Sequence, residues 1–371
     1  MLSYKIEAFL ALLRAGLWEN DVRLSQFGIT DYNEVYRLAE EQAVMGLVAA
    51  GLERIQDEQP PKEILLRFVG QTLQLEHRNK AMNVFIASLV EKMRGVGIYT
   101  LLVKGQGIAQ CYERPLWRAC GDVDLFLSAD NYEKAKKYLI PLASSIETEG
   151  VSGKHFGLTI NDWIVELHGR LYTSLSNRIN KVLDEIQIDV FYCGNVRSWI
   201  NGNTQIFLIS ADGDVVYIFV HFLSHFYKGG VGLRQICDWC RLLWTYRRKI
   251  NEKLLYERLK KMGLISEWKA FATFAVEYLG MPLESMPLYS ADDKWKRKAK
   301  MICSFFLEVG NMGHNRDISY FKKYPYFVRK AISFGRICGD LIRHSRIFPL
   351  DSIRFFPSIL FNGLRNAARG E

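Results

Sequence analysis

The spacing of apolar positions changes character twice along the chain. Up to about residue 92, apolar residues recur every three or four positions, the period of helices that bury one face. "ITDYNEVYRLAEEQAVMGLVAAGLERI" follows this rule, with Thr30 or Asp31 placed to cap its start. "PPKEILLRFVGQTLQLEHRNKAMNVFIASLVEKMRGVG" opens on Pro60 and Pro61 and closes near Gly95 and Gly97, as helices do. The period then shortens. "IYTLLVK" (98–104) predicts a strand, Gly105 and Gly107 a turn, and "IAQCYE" a helix. "DVDLFL" predicts the next strand, "NYEKAKKYLIPLA" a helix, and "WIVELHGRL" another strand. Residues from about 185 to 210 read as strand and loop closing this unit, and from Asp212 onward the pattern is helical again. The expectation is an α+β fold: a small mixed-sheet core over 93–210, flanked by helical regions at 1–92 and 211–371. No internal repeat or low-complexity segment interrupts it.

Composition narrows this picture. With 371 residues, 49% apolar and 24% charged, the chain has the balance of a folded protein and excludes a disordered one. No apolar run approaches the roughly 20 residues of a membrane-spanning helix. The opening "MLSYKIEAFLALLRAGLWEN" carries Glu7 and Arg14 within its apolar stretch, so an amphipathic helix is expected and export is not. Seven scattered cysteines favour reduced thiols and a cytoplasmic setting. Cys237 and Cys240 form a single CxxC, which at helical spacing reads as core packing rather than zinc. The net charge of +9 permits an anionic partner (nucleotide, nucleic acid or anionic lipid) without choosing among them.

Candidate chemistry concentrates in the middle of the chain. "RACGDVDLFL" places Asp122 and Asp124 inside an apolar strand. Residues two apart share a strand face, so the two carboxylates project together, about 6–7 Å apart. Carboxylates held this way repel each other, and a divalent cation between them relieves the repulsion; hard oxygen ligands suit magnesium or manganese. The bland alternative is a pair of exposed aspartates on an edge strand. Upstream, "LLVKGQGIAQCYE" runs strand, Lys104, glycines, helix, an order that can present backbone N–H groups to an anion. Downstream, Glu166 and His168 share one face of "IVELHGRL", and Glu166 becomes a third carboxylate if that strand neighbours the aspartates. Arg118 is placed to meet phosphate oxygens or to pair with an aspartate.

Taken together, "LLVKGQGIAQCYERPLWRACGDVDLFL" and the shorter "VELHGRL" resemble the nucleotidyltransferase fold of the DNA polymerase beta superfamily. More narrowly, they are similar to bacterial proteins called uncharacterised nucleotidyltransferases, which carry a "LLKG" turn and an R-x-x-x-D-h-D-L-h-V strand. The resemblance implies a mixed-sheet nucleotidyltransferase core, with Asp122 and Asp124 as metal-binding acids and Glu166 as the third acid, which helps activate the acceptor. It implies that Gly105 faces the nucleotide phosphates and that Lys104 and Arg118 occupy matching family positions; with Gln106 and Gly107 of the same turn these are the candidate nucleotide-binding residues. The cofactor implied is Mg²⁺ or Mn²⁺, with a nucleoside triphosphate as substrate and an unidentified hydroxyl acceptor (small molecule, sugar, RNA or protein). The chemistry implied is transfer assisted by two ions about 3.5–4 Å apart. One departure stands out: where the superfamily has G-S or G-G, this chain reads Gly105-Gln106.

The alternative from another class is a nucleotide-binding regulatory or partner protein that keeps the fold without turnover; a third is nucleic-acid binding driven by basic charge. In the helical remainder, His221 and His225 lie four apart and are expected to be buried and hydrogen-bonded; they, with Arg234 and Asp238, could instead line the cleft. Arg234 and Asp238 are expected to pair at i and i+4. The basic, aromatic tail from Tyr320 is expected to pack as helices with a basic outer face, in preference to contacting a membrane surface.

Overall fold

The computed structural model describes residues 4–147, 155–228, 230–309 and 324–368. Four helices precede the first strand: α1 (Tyr4–Trp18), α2 (Tyr32–Glu41), α3 (Met45–Leu52) and α4 (Lys62–Gly95). Asp31 caps α2, its carboxylate accepting from the Glu34 amide at 3.1 Å. Pro61 sits just ahead of α4. Helix α1 is not amphipathic in its surroundings: Phe9, Leu10, Ala11, Leu12 and Leu13 are all buried. The reason is close packing against α3, where a Cβ on Gly16 would fall 1.8 Å from the Leu47 carbonyl oxygen and one on Gly51 2.0 Å from that of Leu12. Only glycine lets the two backbones touch.

The sheet has seven strands, β1 (Leu101–Val103), β2 (Asp122–Phe126), β3 (Ser145–Ile146), β4 (His155–Ile160), β5 (Trp163–His168), β6 (Val196–Asn201) and β7 (Thr204–Ile209). Their spatial order is β3-β4-β5-β2-β1-β7-β6. Strand β2 runs antiparallel to β1 and parallel to β5, while β4–β5 and β6–β7 are antiparallel hairpins. Short helices α5 (Gly105–Ala109) and α6 (Ala129–Leu139) follow β1 and β2. Val123 and Leu125 face a core built with Met82, Ile86, Leu89 and Met93 of α4; Phe126 faces the opposite, larger core. Alternation along β2 therefore turns Asp122 and Asp124 toward the Phe126 side.

Two segments differ from the sequence reading. Residues 177–192, whose second half was expected to be strand, form helix α7 (Asn177–Tyr192). Ser176 caps it, accepting from the Arg178 amide at 3.2 Å, and Ile179, Val182, Leu183, Ile186 and Val190 bury one face. The β-branched run "IQIDV" masked a helical period that only the longer window reveals. Strand β4, not foreseen, pairs along the whole of β5.

After β7 come α8 (Ala211–Lys228), α9 (Leu233–Tyr246), α10 (Glu252–Met262), α11 (Ile265–Leu279) and α12 (Asp293–Val309), then helices Tyr326–Ile347 and Pro349–Ala368. Their core is aromatic: Trp268 lies 4.8 Å from both Phe219 and Trp239, and Phe222 5.1 Å from Phe271, centroid to centroid. Cys237 and Cys240 are fully buried there, and burial pushes both thiols up. Phe348, between the last two helices, and Phe355 are buried, while Phe334, Ile342, Leu350, Ile353 and Phe361 are exposed; residues 320–323 and 369–371 of the tail lie outside the described residues. Among the described residues, no helix is long and apolar enough to cross a membrane.

Candidate functional site

The parallel pairing of β2 with β5 sets the site. Its register aligns Asp124 with Glu166 and Phe126 with His168, so Asp122, Asp124, Glu166 and His168 occupy one face of adjoining strands. One carboxylate oxygen from each of Asp122, Asp124 and Glu166 lies within 4.8 Å of the others. Asp124 is buried; Asp122 and Glu166 are half-buried.

Buried carboxylates need partners. Lys104 Nζ lies 2.6 Å from Asp124 Oδ1, and His168 Nε2 lies 2.7 Å from the same oxygen. His155 Nε2 is 2.9 Å from Glu166 Oε2, and His168 Nε2 is 3.5 Å from it. Burial by itself would lower Lys104 and His168, but the neighbouring carboxylates outweigh it and raise both. Burial likewise works to raise Glu166, yet the hydrogen bonds from His155 and His168 hold it far below the usual carboxylate range. Asp122 goes the other way: burial and the adjacent Asp124 raise it. It is the least compensated of the three acids.

The turn that delivers Lys104 is strained. Lys104 has φ 58°, ψ −146°, a region other residues avoid at a cost of about 1–3 kcal/mol, and Gly105 follows with φ 39°. A Cβ on Gly105 would lie 3.1 Å from Cys120 Sγ, so the turn presses against the entry to β2. Gln106 and Gly107 face elsewhere. The Gln106 amide donates to Asn79 Oδ1 at 2.8 Å, toward α4, and a Cβ on Gly107 would meet Leu208 Cδ2 at 2.7 Å. Neither lines the cleft; both serve the packing of α5 onto the sheet and α4.

A cleft of about 640 Å³ opens between this sheet face and α8 and α9, lined by Lys104, Gly105, the three acids, Arg118, His221, His225 and Arg234. The expected Arg234–Asp238 pair is not formed. Asp238 instead receives Arg118 in a two-pronged pair, Nε to Oδ1 at 3.0 Å and Nη2 to Oδ2 at 2.6 Å, with Tyr112 donating its hydroxyl to Oδ1 at 2.8 Å. The planar guanidinium from outside α9 satisfies both carboxylate oxygens, which a neighbour on the same helix would not. Arg234 is left with the Ala119 carbonyl at 3.0 Å, and no carboxylate among the described residues lies within 4.0 Å of it. His221 and His225 are not the hydrogen-bonded core histidines expected. Their rings meet edge to face, centroids 4.6 Å apart, on the cleft side of α8, without a hydrogen bond to another described residue. Burial and the nearby Lys104 keep them neutral, His225 lowered to about 4.

His155 escaped the sequence reading, yet a signal for it existed. Asn161 and Asp162, between two apolar runs, are residue types that tolerate positive φ, and both adopt it here, the geometry of a two-residue hairpin turn. Counting outward from that turn pairs Ile160 with Trp163 and, five steps on, His155 with His168.

A mixed sheet bringing three carboxylates to one face beside a glycine-opened turn, enclosed by helices, is the architecture of a nucleotidyltransferase core. The chain belongs to a family described as uncharacterised nucleotidyltransferase, whose model matches residues 29–280 and so takes in the sheet, α8 and α9. Comparison with curated proteins and with solved structures gives no match. The all-oxygen donor set of Asp122, Asp124 and Glu166 fits the hard divalent cation that such a family implies.

Proposed function

We propose that this chain is a Mg²⁺-dependent nucleotidyltransferase that moves a nucleoside monophosphate from a triphosphate to a hydroxyl acceptor. The observation carrying this reading is the convergence of Asp122, Asp124 and Glu166 on one sheet face, in a chain of a nucleotidyltransferase family. These three acids would hold the ion, with Mn²⁺ as the substitute. When bound, Mg²⁺ would neutralise triphosphate charge and make the acceptor oxygen a better nucleophile. The chain's own residues position and exclude water. Arg234, with no carboxylate within 4.0 Å among the described residues, gives the triphosphate a cation, and Lys104 and Gly105 line the same cleft. Arg118, held rigid by Asp238, backs that wall. Glu166 faces the acceptor hydroxyl as the third acid.

A second reading keeps nucleotide binding without turnover. Lys104 and His168 both engage Asp124 Oδ1, a pairing that a silent nucleotide-binding partner protein would also keep. One experiment separates the two. The full chain is incubated with labelled ATP, GTP, CTP or UTP, Mg²⁺ and a metabolite extract, and pyrophosphate release is followed. Release by the wild type and none by Asp122→Asn is the expected result; nucleotide binding without release for every acceptor fraction supports the silent reading.

A further inference from the structure

Glu166 is also approached by two imidazoles. The β4–β5 register sets His155 directly across from His168 and places Gly157, without a side chain, opposite Glu166. The two rings lie 4.9 Å apart, and donor atoms of His155, Glu166 and His168 all fall within 4.8 Å of one another. Both Nε2 atoms address a single carboxylate oxygen, at 2.9 and 3.5 Å. Two ligands each about 2.1 Å from a tetrahedral ion stand about 3.4 Å apart, so the 3.5 Å contact already matches a ligand shell and the 2.9 Å hydrogen bond would open by about 0.5 Å to admit an ion. The donor set also differs in kind from its neighbour. Asp122, Asp124 and Glu166 offer only oxygen, which suits magnesium, whereas two imidazoles and one carboxylate suit borderline transition metals. His168 Nε2 also lies 2.7 Å from Asp124 Oδ1, so an ion there would take that nitrogen over from the aspartate, while the His155 side chain, 41% exposed, stands at the cleft rim where an ion can enter.

We infer that His155, Glu166 and His168 form a second cation site, for a nitrogen-seeking divalent metal of the zinc class, sharing Glu166 with the all-oxygen cluster. The cleft then holds two cation sites of different hardness, joined through one carboxylate. An ion on the imidazole side fixes the orientation of Glu166 toward the aspartates.

Co²⁺ is the probe, added to the full-length chain without nucleotide. This keeps the outcome separate from whether the chain transfers nucleotidyl groups. The expected result is one equivalent of Co²⁺ with intense visible bands of a low-coordinate, nitrogen-ligated ion, displaced by Zn²⁺ and not by excess Mg²⁺. His155→Gln, at the cleft rim, weakens that binding at least tenfold, and Asp122→Asn leaves it intact. X-ray absorption of the Zn²⁺-loaded wild type, which needs no variant, shows imidazole scattering. Weak octahedral Co²⁺ bands, an unchanged titration in a folded His155→Gln, or a zinc spectrum without imidazole each overturn the inference.

Discussion

Helix α8 belongs to two environments at once, and they hold together by different physics. Phe219 and Phe226 point into an aromatic core with Trp239, Trp268 and Phe271, all fully buried, and Phe222, buried as well, packs on Phe271 and borders the cleft. Tyr217, His221, Ser224 and His225 line the cleft. The aromatic side is stabilised by burial and dispersion, which are nearly non-directional and scale with area. The cleft side is a balance of charges, in which each buried carboxylate has a named partner or carries a cost. Stability is concentrated on one side of the helix and chemistry on the other, so substitutions on the two sides should fail in opposite ways.

The sharpest test of that division is Asp122→Asn. Removing the least compensated acid is expected to lower nucleotidyl transfer by at least about 10³-fold, about 4 kcal/mol of barrier. The melting temperature should hold or rise, because the repulsion that raises Asp122 is relieved. Transfer at the wild-type rate would break the comparison at its root. Phe271→Ala should behave in reverse, costing about 3–5 kcal/mol in a denaturant titration while the folded fraction binds nucleotide as before. A lost cleft in a still-stable protein would show that the two sides are not separable. Asp238→Ala tests the border between them, since it strands Arg118 in the interior. A loss of about 3 kcal/mol is expected, with a milder loss when Arg118→Met is added, read by the same titration.

Smaller effects sharpen the contrast within the helical half. Glu267 is buried, accepts from the Tyr227 hydroxyl at 3.3 Å, and is raised well above its ordinary value by burial and then by Asp351. Because the folded value is raised, its contribution to stability is full below the ordinary carboxylate range and is lost as pH climbs through the raised value. Glu267→Gln keeps the neutral form at every pH. It should match the wild type in acid and exceed it at pH 8 by on the order of 1 kcal/mol; a pH-independent difference would refute the assignment. The smallest change is Lys261→Ala. Its pair with Glu185 at 3.1 Å is solvent-exposed, and a shift beyond about 0.5 kcal/mol in thermal melts would be unexpected.

The period of apolar residues carried most of the helices and the central strands, because each reflects one chain segment facing one core. It failed where a segment met two neighbours. Helix α1 is buried nearly all round, which its own Glu7 and Arg14 did not suggest, and the "IQIDV" end of α7 looks like a strand until its packing is seen. The hairpin at Asn161-Asp162 was legible in principle, and with it the pairing of His155 and His168.

What the sequence determined alone is local. The pleat puts Asp122 and Asp124 on one face, and the run from Lys104 through Gly105 must turn sharply before a helix. What only the tertiary structure decided is adjacency: β5 beside β2 in the register that aligns Asp124 with Glu166, Lys104 reaching Asp124, and Arg118 claiming Asp238 ahead of Arg234. Backbone geometry is fixed by the dihedral preferences of neighbouring residues. Which strands lie side by side depends on the summed burial of many distant side chains, and no short window contains that sum.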